Sequence, residues 1–353
     1  MRIAIPVVGF SRAGGERVLS RVASELIDKG HDVFFVVPDN LSTPYYPTNA
    51  SIVRSFVERR YNKYINYIIN YYALYKKCKE LKPDLVIANY NLTAYLVFLL
   101  PRSIIKVYYI QAYEVLFGTS KLRKAIAYFT YFLPLNKIVN HDKILPSSIN
   151  NYITVIPAGV DVNNFTPRKL TNAKKNIGLI GRREKHKGTS ELINIIIEWG
   201  REKEFILNIG VYLDDYTATL LKEADIEFNY YLINDDKELA DFYRRNDLIV
   251  AVGLVEDGAF HYPCAEAMAC GCLVISNYAP LVNTKSILRI QSFSRECILN
   301  KLDIFYNMNS EQIKKELSLY TIIRENYSWD VIGEKFNNTL TELYNNEIKN
   351  ECH

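Results

Sequence analysis

Hydrophobic positions along the chain alternate between two periods, one typical of strands and one typical of helices. Short apolar runs bounded by turn residues predict buried strands, and apolar residues at every third or fourth position predict helices. In the first half, strands at Ile3–Val8, DLVIANY and IIKVYYI alternate with helices, and in the second half IGLIG, EFILNIG, IEFNYYL and DLIVAVG do the same. The repeated alternation predicts an α/β protein of two doubly wound domains.

The stretch from Val255 to Asn277 reads VEDGAFHYPCAEAMACGCLVISN and combines a loop, a short helix and a buried strand. Pro263 suits a first helical turn, and Gly271 suits the end of a helix. We expect Glu266 in the first turn, where free backbone N–H groups favour anions. A phosphate or sugar site is therefore predicted here, although an ordinary α/β crossover has the same local pattern.

Composition and charge narrow the classes of protein. The 353 residues are 49% hydrophobic with a net charge of +4 and no block of basic residues, so nucleic acid is not the expected partner. The charge leaves two kinds of partner open, a phosphate-bearing ligand and an anionic membrane surface. The six cysteines lack disulfide or zinc spacing, so we expect no metal site and a cytoplasmic location. No apolar run approaches the roughly 20 residues that span a bilayer.

Two segments, Arg59–Lys77 and Lys121–Phe132, are rich in both aromatic and basic residues. Five residues of the predicted helix from Arg59 to Leu81 share one stripe, and such a stripe predicts a face packed on the sheet. They are Tyr61, Tyr64, Ile65, Ile68 and Tyr72. The cations at the helix ends and the spare tyrosines also fit peripheral contact with a membrane surface. Both interpretations stay open at this point.

Candidate site residues follow strands in the first half. Gly14 and Gly15 lie at the first strand-to-helix turn, where a missing side chain lets a ligand approach the backbone. A plain tight turn is the alternative. Gln111 and Glu114 follow the strand IIKVYYI, at the edge where open α/β sheets bind ligands.

In the second half, Arg182 and Lys187 lie on a loop before the predicted helix Thr189–Trp199. Two cations, a glycine and a helix N-terminus together predict a diphosphate clamp, in which arginine makes forked contacts and lysine acts as a point charge. A solvated charged turn is the alternative.

Several of these motifs resemble glycosyltransferase family 4. The resemblance rests on GGERV and GHDV around the first helix, which are similar to the family's GG-x-E-R-V and G-H-x-V. It also rests on VIPAGVD with a following F-x-P, on the spacing of Arg182 and Lys187, and on Glu266 before AMACG. Gly258 stands where the family has a first glutamate. The resemblance implies a GT-B fold, with Rossmann-like domains at 1–153 and 154–325 facing across a cleft. Residues 326–353 are then expected to form a helix that returns to the first domain.

The resemblance also implies a function. By this resemblance the chain is expected to be a retaining glycosyltransferase that moves a hexose from a nucleotide-diphosphate sugar to a hydroxyl acceptor. The acceptor is a glycan or is lipid-linked or protein-linked, and no metal or other cofactor is expected. Arg182 and Lys187 would stabilise the leaving diphosphate and Glu266 would bind the ribose. The other residues implied at the donor or the catalytic cleft are Gly14, Gly15, Gln111, Glu114, Glu256, Phe260, His261 and Tyr262.

Gly258 motivates the alternatives. Glu256 or Asp257, immediately upstream, is a candidate to replace the missing carboxylate, and our hypothesis assigns the role to Glu256. A catalytically silent nucleotide-sugar-binding subunit is a second interpretation. A third is another GT-B enzyme, either an inverting transferase or an epimerase.

Overall fold

The computed structural model describes residues 1–10, 14–39, 43–55, 62–168, 176–184 and 187–351. The chain forms two compact units. Unit 1 comprises Met1–Gly159 and Trp329–His353, and unit 2 comprises Val160–Ser328. Each unit contains a parallel sheet with helices between its strands, which confirms the predicted α/β class.

Unit 1 is built on a seven-stranded sheet in the order β3-β2-β1-β4-β5-β6-β7. Its strands are β1 (Arg2–Pro6), β2 (Asp32–Pro38), β3 (Ser51–Ser55), β4 (Leu85–Ala88), β5 (Ile105–Ile110), β6 (Asn136–Val139) and β7 (Thr154–Val155). Its first four helices are α1 (Gly14–Asp28), α2 (Lys63–Glu80), α3 (Asn91–Leu99) and α4 (Lys121–Thr130). Each described strand pair is parallel, and the order reverses direction between β1 and β4. Ligands of open α/β sheets bind beside such a reversal.

Unit 2 is built on a five-stranded parallel sheet in the order β10-β9-β8-β11-β12. Its strands are β8 (Asn176–Ile180), β9 (Ile206–Gly210), β10 (Phe228–Tyr231), β11 (Leu248–Val250) and β12 (Leu273–Ile275). Its helices are α5 (Thr189–Gly200), α6 (Asp215–Glu223), α7 (Asp236–Arg245), α8 (Tyr262–Ala269), α9 (Arg295–Asn307), α10 (Ser310–Ser318) and α11 (Ile322–Asn326). The strand order reverses between β8 and β11, so the chain segments that follow these two strands are placed to form a site.

The last helix, α12 (Trp329–Glu351), returns to unit 1 and packs on α1, as the sequence predicts. A Cβ atom on Gly159 would lie 2.6 Å from the ring of Trp329, so this close approach requires glycine. Farther along α12, Phe336 packs edge-on against Tyr109 of β5, with ring centroids 5.0 Å apart. The buried aromatic side chains attach the helix to the sheet.

Helix α2 is rotated away from the orientation expected from its sequence. Ile68 and Tyr72 are 67% and 64% exposed, so the prediction that this stripe packs on the sheet is wrong. A narrower stripe at i, i+3, i+4 and i+7 is packed in the core instead, and it consists of Tyr71, Leu74, Tyr75 and Cys78. The segment 59–61 and the side chain of Tyr64, which belong to the same expectation, lie outside the described residues.

Candidate functional site

The loop that follows β11 takes its shape from Asn277, a fully buried residue that lies two positions after β12. Its Oδ1 accepts a hydrogen bond from the Gly253 N–H at 3.1 Å, and its Nδ2 donates to the Gly253 carbonyl at 2.8 Å. The same Nδ2 donates to the Asp257 carboxylate at 2.5 Å, and the Asn277 carbonyl accepts from the Gly258 N–H at 2.8 Å. One side chain therefore holds both ends of the loop.

The backbone of this loop explains the glycine at position 258. Gly258 has a φ of 80°, in the left-handed region where a side chain is strained. Glu256 also adopts a positive φ, 62°, which is uncommon for a residue with a side chain. Its side chain is exposed, whereas the Asp257 carboxylate is bonded to Asn277. Of the two acids upstream of Gly258, Glu256 is the one whose carboxylate has no hydrogen bond among the described residues, although its backbone carbonyl accepts from the Ala259 N–H at 3.0 Å.

His261 lies at the N-terminus of α8, with its backbone N–H bonded to the Ala279 carbonyl at 3.1 Å. Its imidazole lies against the ring of Tyr278, with centroids 4.4 Å apart. Burial, together with the positive charges of Lys187 and Arg182, lowers the pKa of His261 to about 3. The imidazole is therefore neutral at physiological pH, and its buried Nδ1 has no hydrogen-bond partner among the described residues.

Arg182 and Lys187 lie on the loop between β8 and α5. The Arg182 N–H donates to the Thr189 hydroxyl at 3.0 Å, and the Lys187 N–H donates to the Glu184 carbonyl at 2.9 Å. Both side chains line one small cavity with His261, at the carboxyl ends of β8 and β11. The structure thus brings together three of the residues predicted from the sequence, on the side of the sheet where open α/β proteins bind ligands.

Glu266 differs from its expected placement. Helix α8 begins at Tyr262, so Glu266 is its fifth residue and lies in the second turn, beyond the free N–H groups of the first. The side chain is 1% exposed and accepts a hydrogen bond from the Tyr243 hydroxyl at 3.1 Å. Burial and the neighbouring carboxylate raise the pKa of Tyr243, which keeps this phenol protonated as the donor.

The two aromatic residues beside His261 pack against each other. The rings of Phe260 and Tyr262 meet edge-on with centroids 5.1 Å apart, and Phe260 also stacks on Tyr327 at 6.0 Å. A backbone bridge between Phe260 and Ala279 continues this packing. Phe260 and Tyr262 therefore support the N-terminus of α8 from one side.

In unit 1, the structure brings Gln111 to the start of α1. The Gln111 amide donates to the Gly15 carbonyl at 3.1 Å, and a Cβ atom on Gly15 would lie 3.5 Å from that amide. Gly14 is the first residue of α1. Asn140, which the sequence analysis did not single out, donates from its side chain to the Gln111 carbonyl at 2.7 Å.

Glu114 is 5% exposed and begins a short 3-10 helix, Glu114–Phe117, after β5. Its carboxylate accepts hydrogen bonds from the Asn91 N–H at 2.6 Å and from the Tyr108 hydroxyl at 2.7 Å. Burial raises the pKa of Glu114 to about 7, against the lowering effect of these hydrogen bonds. The residue lines a cavity of about 590 Å³, whereas Gln111 is not among the residues of its wall.

Among the residues that the structure describes, no three His, Cys, Asp or Glu side chains come close enough together to hold a metal ion. No helix in the same ranges is long and apolar enough to cross a membrane.

Comparisons with known proteins identify the fold and match one segment of the chain to a family profile. The profile of Glycosyltransferase Family 4 matches residues 12–129. Sucrose-phosphate synthase from Thermosynechococcus elongatus aligns with a TM-score of 0.75 at 15% identity, covering 97% of this chain and 99% of that one. A glycosyltransferase from Rickettsia africae ESF-5 aligns at 0.73 with 16% identity, covering 99% of each chain. HepE from Anabaena, solved in complex with UDP and glucose, aligns at 0.71 with 15% identity over 97% and 100%. A search of curated proteins finds no match.

At these identities the solved structures show the fold, and they confirm the GT-B architecture that the sequence predicts. The family match covers most of the β1-to-α4 part of unit 1, including the glycine turn and the segment that follows β5. The chain has the GT-B fold, and its residues 12–129 match the profile of glycosyltransferase family 4.

Proposed function

We propose that the chain transfers a hexose from a UDP-sugar to a hydroxyl acceptor, with retention of configuration at the anomeric carbon. The convergence of Arg182, Lys187 and His261 on one cavity of unit 2 carries this proposal. The complex of Anabaena HepE with UDP and glucose supports the choice of donor, and the family match supports the retaining outcome.

The reaction breaks the bond between the anomeric carbon and the oxygen of the β-phosphate. The acceptor oxygen forms the new bond to the same carbon and on the same face, its proton passes to the departing phosphate oxygen, and UDP leaves. Negative charge grows on the diphosphate as its bond breaks. Arg182 and Lys187 supply fixed positive charge at that point, which is the kind of preorganised stabilisation that lowers such barriers most. With two cations in this role, the proposed reaction uses no metal or other cofactor.

The neutral state of His261 assigns it a different task. A neutral imidazole donates one hydrogen bond and accepts another, so it suits contact with sugar hydroxyls rather than with the diphosphate. We assign Glu256 as the second acceptor for the sugar, because the Asp257 carboxylate is bonded to Asn277. Kinetics of Glu256→Gln and Asp257→Asn on the true donor test this choice. A Glu256→Gln enzyme with wild-type turnover contradicts it.

The remaining residues have proposed roles within their own units. Glu266 is the proposed acceptor for the ribose hydroxyls, with Tyr243 holding one of its oxygens. Tyr262 and Phe260 support His261 from the side. In unit 1, Gln111 and the glycine turn at 14–15 form the proposed contact for the acceptor hydroxyl, because the Gln111 amide lies directly on that turn.

A panel of nucleotide sugars tests the proposal, with release of nucleoside diphosphate as the readout and the product anomer determined by NMR. We expect UDP release and a product with the configuration of the donor. Lys187→Ala is compared with Lys222→Ala, which removes an exposed lysine of α6 in the same unit. An inverted product, or equal activity of the two variants, contradicts the proposal.

One observation favours a second candidate, a nucleotide-sugar-binding subunit without catalysis. Gly258 occupies the position of the family's first glutamate, and its φ of 80° disfavours any carboxylate there. Stable UDP-sugar binding without UDP release, across glycan and glycolipid acceptors, favours this candidate over the transferase.

The exposed faces of α2 and α4 support peripheral contact with a membrane surface. Ile68, Tyr72 and Phe129 are more than half exposed, and cations accompany them on both helices. An apolar face bordered by cations binds anionic bilayers through both burial and charge. Cosedimentation with vesicles containing phosphatidylglycerol, but not with vesicles of phosphatidylcholine alone, is the expected result. Equal recovery with both lipids contradicts an electrostatic contribution.

A further inference from the structure

The cavity of about 590 Å³ in unit 1 is large enough for a ligand of its own. It lies between α2, α3, α4 and the 3-10 helix Glu114–Phe117, after the carboxyl ends of β4 and β5. Both strands are central in the sheet, so their ends face a region where ligands of α/β proteins collect. None of the donor-site residues proposed above belongs to its wall.

The wall of the cavity is polar at its floor, and it is aromatic and positively charged towards its mouth. Asn91 and the buried carboxyl of Glu114 supply polar groups at the floor. Tyr67 and Tyr90 supply aromatic faces, and the nearby Tyr90 adds to the effect of burial in raising the pKa of Tyr67. Such a combination of aromatic faces with a few convergent hydrogen-bonding groups suits a ligand that carries hydroxyl groups.

Arg123 supplies the positive charge at the mouth. It is exposed, lies on α4 and is close enough to Tyr67 to lower the pKa of that phenol, against the larger effect of burial. Helix α4 carries two more cations, Lys121 and Lys124, and no acidic residue. An anionic group at the mouth therefore meets an attractive field, and the guanidinium offers the forked contact that phosphate favours.

Several residues that adjoin the wall residues in sequence are apolar and exposed. Leu122 is 71% exposed next to Arg123, Leu116 and Phe117 are exposed on the 3-10 helix, and Ile68 is exposed next to Tyr67. Large apolar side chains grouped around a cavity mark a binding surface more often than scattered ones do. An apolar group that leaves the cavity past Arg123 has this surface to cover.

We propose that the cavity binds the head of an amphiphilic acceptor, in which a hydroxyl-bearing group is joined through a phosphate to an apolar chain. The hydroxyl-bearing head lies between Tyr67 and Tyr90, the phosphate contacts Arg123, and the chain lies across Leu116 and Leu122. The role as acceptor rests on the transferase function proposed above. The binding itself does not, so the two are tested separately.

The test uses the full chain without any nucleotide sugar and measures binding by titration calorimetry. The probes are octyl phosphate, octyl glucoside and methyl glucoside, each below the concentration at which it forms micelles. We expect both octyl compounds to bind and methyl glucoside to bind at least tenfold more weakly, because it lacks the chain. Equal affinity for octyl and methyl glucoside overturns the amphiphile and points to a free glycan.

Matched variants separate the cavity from the general surface. Arg123→Gln is expected to weaken octyl phosphate about tenfold, equivalent to about 1.4 kcal/mol, and to leave octyl glucoside nearly unchanged. Lys121→Gln removes the same charge from the same helix outside the cavity wall, so it is expected to have little effect. Equal losses of affinity for octyl phosphate in the two variants overturn the assignment of Arg123 as the phosphate contact.

The role of the aromatic residues in the wall is tested with a separate control variant. Tyr67→Ala is expected to weaken both octyl compounds, whereas Tyr72→Ala removes an exposed tyrosine of α2 that is not in the wall. Equal effects of these two variants contradict binding in the cavity. Transferase activity without this binding pattern overturns only the acceptor class, and the binding pattern without UDP release contradicts only the proposed reaction.

Discussion

Replacing Glu114 by glutamine tests whether this buried carboxyl titrates near neutral pH. Burial raises its pKa from 4.5 to about 7, so the folded protein favours the protonated form. Each pKa unit corresponds to about 1.36 kcal/mol, so a shift of this size changes the free energy of unfolding by about 3 kcal/mol. The contribution is fully present below pH 4.5 and is lost as the pH rises towards 7, because the unfolded carboxyl has already released its proton.

Glutamine resembles the protonated carboxyl at every pH. The difference in unfolding free energy between Glu114→Gln and the wild type is therefore expected to move by about 3 kcal/mol in favour of the variant between pH 4.5 and pH 8. Other titrating groups contribute equally to both proteins and cancel in this difference. The comparison isolates a single carboxyl in a chain with 39 acidic residues.

The chain offers a direct reporter for unit 1. It has two tryptophans, of which Trp199 lies in unit 2 and Trp329 lies in unit 1. In a Trp199→Phe background, the fluorescence of Trp329 during urea unfolding reports unit 1 alone. Glu80→Gln, which removes an exposed carboxylate at the end of α2, serves as the matched control for the loss of a charge. A pH-independent difference for Glu114→Gln would refute the reasoning.

Four shorter predictions concern the donor side. Lys187→Ala is expected to lower turnover by about two to three orders of magnitude, measured by UDP release on a protein with an unchanged melting temperature. Arg182→Lys is expected to cost nearly as much because the forked geometry is lost, and unaltered kcat would contradict the clamp. NMR titration of His261 is expected to show a neutral ring down to about pH 3, with a higher pKa once UDP neutralises the two cations. Because its pKa is lowered, His261 contributes stability above pH 6.5 that is lost as the pH falls towards 3. Asn277→Ala leaves both polar groups of Gly253 unpaired and is expected to destabilise unit 2 by about 2 kcal/mol or more in urea unfolding.

The strands and most helices were predictable because their signal is local. Apolar runs and periodic helices follow directly from burial on one or both faces, and the strands that the sequence predicts are present in both sheets. The strands β3 and β6 and the helix α3 of unit 1 were not predicted. The rotation of α2 was not predictable in this way. Its longer apolar stripe, which includes Ile68 and Tyr72, faces outward, because packing with the rest of the unit selected the stripe of Leu74 and Cys78.

The candidate site, too, was predictable from the sequence only in part. Arg182, Lys187 and His261 were identified from residue type and order, and the structure brings them to one cavity. The role of Asn277 was not identified, because its bonds to Gly253 join positions 24 residues apart and only the folded sheet places them together. Its location just after a predicted buried strand was the one available signal.

The arrangement of α12 has a consequence for the order in which the protein assembles during synthesis. Unit 1 is discontinuous in sequence, since Val160–Ser328 is inserted between its sheet and its last helix. A ribosome completes all of unit 2 before it makes Trp329, so unit 2 has all its residues available first. Until α12 emerges, the face of α1 that it covers remains open and available to chaperones or to α12 of another chain. A nascent chain stalled before Trp329 therefore combines a complete unit 2 with an incomplete unit 1. Between two full-length chains, exchange of α12 is the form of misassembly that this topology favours.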